Sequence, residues 1–100
     1  IGAGTWADAR VAVSGTGLGE RFIRAGTARM VSARVELLGE PLPVAAAAVL
    51  GSMPPESGGL IAVDTSGAVA LPFTSQGMYR AWATATGTVG HAIGPTTGGP

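Results

Sequence analysis

Hydrophobic and polar positions change period several times along this chain, and each change marks an element. Ile1-Gly-Ala-Gly-Thr-Trp-Ala-Asp8 is glycine-rich and reads as a turn or irregular lead-in. Arg10-Val-Ala-Val-Ser14 alternates and carries β-branched residues, which predicts a strand, and Gly15-Thr-Gly-Leu-Gly19 reads as a tight loop. From Glu20 the period becomes helical, with Ile23, Gly26, Met30, Ala33 and Leu37 recurring at spacings of three and four. Arg21, Arg24 and Arg29 fall off that stripe, and Glu20 is placed to pair with Arg24 one turn on. Gly39, followed by Pro41, is the expected stop.

Pro43 opens a second, shorter helix through Val44-Ala-Ala-Ala-Ala-Val-Leu50, since proline fits a first turn and alanine favours helix most. Pro54-Pro55-Glu-Ser-Gly-Gly59 breaks it. Leu60–Asp64 and Ala68–Thr74 then read as strands of a hairpin around Thr65-Ser-Gly67, with Pro72 marking a strand end, edge or bulge. Met78–Ala83 predicts a further strand, and the Gly/Thr-rich tail holds a weak one at Val89–Ile93. The order, strand, two helices, hairpin and strand, predicts an α+β fold: a mostly antiparallel sheet with two helices on one face.

Composition narrows what such a unit can do. A chain of 100 residues is about one small domain, and a domain of that size often needs a partner surface to complete its core. Hydrophobic residues make up 46% and charged residues 12%, too apolar for a disordered chain despite 17 Gly and 7 Pro. The low charge predicts faces covered in a larger assembly. Net charge is zero and the six arginines are scattered, so no basic stripe points to nucleic acid. There is no Cys, which excludes disulfides and thiolate metal sites and fits a reducing, cytoplasmic location. The longest apolar run, Val44–Leu50, is too short for a bilayer. With Ile1 in place of an initiator Met and no signal pattern, the chain reads as a fragment or processed piece, a single incomplete domain over residues 1–100.

Two glycine patterns invite a nucleotide. Gly2-Ala-Gly-Thr-Trp-Ala7 fits a dinucleotide fingerprint in letters, but that motif needs a strand before it and a helix after it. Gly15-Thr-Gly-Leu-Gly-Glu20 has strand and helix around it. Its third glycine position, however, holds the carboxylate of Glu20, and it lacks a P-loop lysine. No cofactor is expected at either. The second loop nonetheless gathers backbone N–H groups in a form that can bind a carboxylate or an oxyanion, and Thr16 adds a hydroxyl. The same glycines also fit a plain strand-to-helix turn.

Other residues carry less. His91, the lone histidine, reads as a solvated loop residue. Asp8 and Asp64 are isolated, the latter explained by an Asx turn. Tyr79 and Trp82 read as core or subunit contacts. Arg80 reads more readily as a surface or interface residue than as a ligand clamp. No metal-ligand cluster is expected.

Several blocks then align with one family in one order. Ile1–Asp8, Val11-Ala-Val-Ser-Gly-Thr-Gly-Leu-Gly-Glu20, Phe22-Ile-Arg-Ala25, Gly58–Asp64 and Ala70–Trp82 resemble the β subunit of plant-type L-asparaginases, also called isoaspartyl peptidases. The sister glycosylasparaginases and taspases share the early blocks and match the later ones less well. The resemblance implies an N-terminal-nucleophile hydrolase with a four-layer αββα sandwich, of which this chain is part. It also implies an autoproteolytic precursor, an α subunit and missing N-terminal β segment as partners, and an (αβ)2 assembly. The activity implied is hydrolysis of L-asparagine or β-aspartyl dipeptides through a threonine acyl-enzyme, without a cofactor.

By the same resemblance, the Thr16 hydroxyl and the Gly17 N–H form the oxyanion hole. The Gly17 carbonyl holds the substrate amino group, and the Gly19 backbone helps bind the α-carboxylate. Leu18 stands where relatives vary and often carry a polar residue, which bears on substrate preference, and Gly15 stands where Thr or Cys is frequent. The nucleophilic threonine, a second active-site threonine and the Arg and Asp of the substrate clamp fall before Ile1 in the family. The chain alone is therefore expected to be inactive. A non-catalytic scaffold or interaction domain that keeps the fold is the alternative.

Overall fold

The computed structural model describes residues 1–85 and 87–92. Its elements run β1 (Thr5–Ala7), β2 (Val11–Gly17), α1 (Gly19–Ala25), α2 (Thr27–Leu38), α3 (Leu42–Gly51), β3 (Gly58–Asp64), β4 (Val69–Ala70), β5 (Arg80–Ala83) and β6 (Val89–Ala92). The first four strands form an antiparallel sheet in the order β1-β2-β3-β4, and β5 pairs with β6. The α+β class, with helices on one face of an antiparallel sheet, is as the sequence predicts. The predicted strand at Val89–Ile93 is β6, although Ile93 itself lies outside the described residues.

Period-two alternation sorts the sheet's two faces. Val11 and Val13 of β2, Leu60 and Ala62 of β3 and Ala70 of β4 are buried against Ala28 and Val31 of α2 and Leu42, Ala45, Ala46 and Val49 of α3. The alanines let α3 approach the sheet closely. A satellite cluster of Phe22, Leu50 and Met53 lies under α1. On the other face, Ala12, Ser14, Ile61 and Val63 look outward, and with Ala81, Trp82 and Ala83 of β5 they line an open cavity of about 400 Å³. The layers are thus helices, a four-stranded sheet, and a two-stranded sheet facing it.

Three parts differ from the sequence reading. The lead-in is ordered: Thr5–Ala7 pair with Ala12–Ser14, and the carbonyls of Gly2 and Ala3 accept the Arg29 and Ala28 N–H groups at 2.9 and 3.0 Å. Those bonds satisfy donors that a helix N-terminus leaves open. Next, the predicted single helix from Glu20 is two. Gly26 adopts a left-handed φ of 60°, ending α1 and starting α2. A stripe counted across that break does not stay on one face, so Ile23, Met30 and Leu37 are exposed and the buried positions are Phe22, Thr27, Ala28, Val31 and Ser32. Glu20–Arg24 is not among the ion pairs of the described residues, which are Arg10–Glu36, Arg29–Glu36 and Arg34–Glu40. Last, the strand read over Ala68–Thr74 is regular only at Val69–Ala70. Pro72, with no N–H to give, interrupts it before Phe73 bridges to Gly59.

The polar residues read as isolated or superficial are also more engaged than their spacing shows. Asp8 accepts from the Trp6 indole at 2.8 Å, from the Arg10 and Val11 N–H groups at 2.7 and 3.1 Å, and from the buried Ser32 hydroxyl. These donors, Ser32 first, hold its carboxyl well below the usual carboxylate range. Asp64 does close an Asx turn, accepting from Ser66 and Ala68, and its carboxyl is lowered chiefly by the Ser66 hydroxyl. Arg80 is buried and stacks over Phe73 at 4.5 Å, so it is not a surface residue. Tyr79 is 84% exposed, which leaves the subunit-contact half of its reading and not the core half, and His91 is exposed on strand β6 rather than in a loop. Trp82 is half-buried over Gly90, whose missing side chain makes room for the indole.

Candidate functional site

Strand β2 runs further than its apolar alternation shows. Ser14, Gly15, Thr16 and Gly17 continue the ladder opposite Ile61, Leu60, Gly59 and Gly58, so only Leu18 separates strand from helix. The loop read at Gly15–Gly19 is therefore the end of a strand, and each residue's direction follows from the pleat. Gly15 turns to the helix face, where the Phe22 ring fills the space a Cβ would need. Thr16 turns to the open face, next along from Ser14, with its side chain exposed.

Backbone directions follow from the hydrogen-bond phase. Thr65 N–H donates to the Arg10 carbonyl at 3.2 Å and Leu18 N–H to the Ser57 carbonyl at 2.9 Å, so the even-numbered residues of β2 face β3. The odd-numbered ones face the β1 side: Gly15 N–H donates to the Gly4 carbonyl at 2.8 Å. Gly17 is the next odd residue. By then the lead-in has turned away to α2, so the ladder phase aims the Gly17 N–H and carbonyl at an edge that β1 no longer covers. Thr16 hydroxyl, Gly17 N–H and Gly17 carbonyl lie within two residues of one another at this edge, and Gly19 opens α1 beside it.

This conformation requires glycine at two positions. Gly17 has φ 136° and Gly58 φ 144°, and the two pack against each other. A Cβ on Gly17 would come within 2.3 Å of the Ser57 carbonyl oxygen, and one on Gly58 within 2.1 Å of the Thr16 carbonyl oxygen. Neighbouring residues that the sequence reading did not single out complete the surround. Arg21 reaches from α1 to the Pro55 carbonyl at 2.9 Å and the Ser57 hydroxyl at 3.3 Å, and the fully buried Ser57 hydroxyl donates to the Pro54 carbonyl. Their only signal in sequence is an arginine one residue past Glu20, which patterning reads as a solvated side chain. The Met78 sulfur occupies the space above Gly59, the ladder partner of Thr16.

The cavity under β5 is a separate feature, since none of Thr16, Gly17, Leu18 and Gly19 lines it. It is apolar and lies between β5 and the open face of the four-stranded sheet. Gly2–Ala7, the other glycine pattern, leads into β1 and the hairpin to β2 rather than into a helix. Among the described residues, no His, Asp and Glu side chains group where a metal could be held, and no helix is long and apolar enough to cross a membrane.

The profile of a family described as asparaginase matches residues 1–93. The isoaspartyl peptidase of Salmonella typhimurium is 50% identical over 98% of this chain and 31% of its own length. That of Escherichia coli is 48% identical over 98% of the chain and 30% of its own length. A probable isoaspartyl peptidase/L-asparaginase 2 of Arabidopsis thaliana is 46% identical over 93% and 29%. The chain thus spans just under a third of the length of these curated relatives. With the ordered sequence blocks, the helix-sheet-sheet layering and a family match over nearly all its residues, this chain belongs to the asparaginase family.

Proposed function

We propose that this chain is the substrate-pocket portion of an amidohydrolase that cleaves L-asparagine or β-aspartyl (isoaspartyl) dipeptides through a threonine acyl-enzyme. The observation that supports the reading is the end of β2, where the exposed Thr16 side chain neighbours a Gly17 N–H and carbonyl that the ladder phase turns to an uncovered edge. A carbonyl under attack becomes tetrahedral and gathers negative charge on oxygen. Donors already aimed at that oxygen lower the barrier without reorganising. Thr16 Oγ1 and Gly17 N–H serve as that pair. The Gly17 carbonyl accepts from the substrate ammonium, and the Gly19 backbone binds its α-carboxylate. Leu18 sets an apolar patch at the rim, 48% exposed.

Nucleophile and zwitterion clamp come from residues outside this chain, so these 100 residues alone are inactive. The length of the relatives supports that division. So does the apolar open face of the sheet: Ile61 and Val63 are 52% and 47% exposed. The rest of the β subunit and an α subunit cover such faces in an (αβ)2 assembly. No cofactor takes part, and the enzyme works in the cytoplasm.

Intact-mass analysis of the full-length product tests this. Two chains whose masses sum to the precursor plus one water are expected, and rapid quenching with substrate should add one aspartyl acyl group to the chain holding residues 1–100. A single uncut chain that still hydrolyses L-asparagine would refute the threonine mechanism.

A further inference from the structure

The Gly17–Leu18 peptide is held in one orientation by a device that reaches it from across the fold. A peptide unit is planar, so the direction of its N–H fixes the direction of its carbonyl. Leu18 N–H points at the Ser57 carbonyl at 2.9 Å, and the Gly17 carbonyl must then point the opposite way, to the open edge. Nothing bulky enforces this. Gly17 and Gly58 have no side chains to fix the peptide, so the hydrogen bond that orients it directly is the one from Leu18 N–H to Ser57.

That bond depends on the turn Pro54–Ser57. Within it Glu56 has φ 61°, a left-handed conformation that costs a residue with a side chain. Arg21 brackets it. One guanidinium nitrogen donates to the Pro55 carbonyl before Glu56 and to the Ser57 hydroxyl after it. Arg21 sits on α1, three residues past Leu18, and the turn lies 34 to 36 residues on. A single side chain therefore ties the helix that follows Leu18 to the turn that orients Leu18.

We propose that Arg21 is a positioning residue for substrate recognition: by holding the Pro54–Ser57 turn it presents the Ser57 carbonyl to Leu18 N–H and so aims the Gly17 carbonyl at the substrate's ammonium group. This rests on the role given to Gly17 above. The Gly17 N–H belongs to the preceding peptide plane, so Arg21 bears on amine binding more than on oxyanion stabilisation. Losing Arg21 thus weakens substrates and products that carry an α-ammonium and spares analogues without one.

Product inhibition separates the two. L-aspartate and succinate differ only in the ammonium, so their inhibition constants are compared in the full-length enzyme and in Arg21→Met, Arg21→Lys and Ser57→Ala. Arg21→Met is expected to raise the constant for L-aspartate about tenfold, the scale of one hydrogen bond to a charged group. The constant for succinate should move less than twofold. Arg21→Lys, which keeps one donor for the Pro55 carbonyl, should fall between, and Ser57→Ala should show the same selectivity if Arg21→Met does not fold. Parallel changes for both inhibitors, or none, would overturn the proposal. A parent enzyme that hydrolyses neither L-asparagine nor a β-aspartyl dipeptide would overturn the functional reading itself, before any variant is compared.

Discussion

Replacing Gly17 by alanine places a methyl group where the fold has a backbone oxygen. The new Cβ would lie 2.3 Å from the Ser57 carbonyl oxygen and 2.7 Å from Gly58 Cα, both main-chain atoms that cannot swing aside as a side chain could. Two costs combine. A non-glycine residue held at φ 136° is strained by about 1–3 kcal/mol, and forcing a methyl into a closed contact costs about another 1–3 kcal/mol. The sum, about 2–6 kcal/mol, is a large share of the ~5–15 kcal/mol that separates folded from unfolded protein. At about 2–4 °C per kcal/mol, the melting temperature of the full-length protein should fall by roughly 5 °C or more. Differential scanning calorimetry of Gly17→Ala, Gly58→Ala and Gly51→Ala checks this. Gly58→Ala should match Gly17→Ala, because its Cβ meets the Thr16 oxygen from the other side. Gly51 ends α3 with open space around it, so Gly51→Ala should melt no lower than the parent. A Gly17→Ala melt within about 2 °C of the parent would refute the packed glycine pair, since the combined cost exceeds that.

Two further predictions test the parts that hold this site. Asp8 has a lowered folded-state pKa, so its contribution is complete above the unfolded value of about 3.9 and is lost as pH falls through the folded value. The stability difference between parent and Asp8→Asn, from urea unfolding, should hold steady from pH 7 to 5 and shrink below pH 4; a difference that grows on acidification would contradict the Ser32–Asp8–Trp6 network. On α1 and α2, Ile23→Gln and Leu37→Gln should change unfolding free energy by less than about 0.5 kcal/mol. Val31→Ala, which empties a fully buried site, should cost about 2 kcal/mol, and the reverse order would restore the stripe as the inward face.

The elements that were legible in sequence are those whose period and stops are local. The Val11–Ser14 alternation, the Gly39 stop, the proline-led alanine helix and the Asx turn at Asp64 all depend on neighbours in the chain. What was not legible depends on contacts across it. Gly26 looks like a small residue within a helical stripe, and only its left-handed φ shows that it separates two helices and rotates the inward face. Thr5–Ala7 is too short and glycine-flanked to announce a strand, and its order comes from the Gly2 and Ala3 carbonyls meeting α2. At the site, Thr16, Gly17, Leu18 and Gly19 were named from their resemblance to a family, and the structure supplies the ladder phase that turns Gly17 to an open edge. Arg21 and Ser57, 36 residues apart, meet only once the fold brings them together.

Turnover of Thr16→Ala in the full-length enzyme tests the central claim most directly. If the Thr16 hydroxyl is an oxyanion donor, kcat for a β-aspartyl dipeptide should fall by roughly 10²–10³. Thr16 is exposed, so the melting temperature should stay within about 2 °C of the parent. A kcat within twofold of the parent would contradict the assignment of this edge as the oxyanion hole.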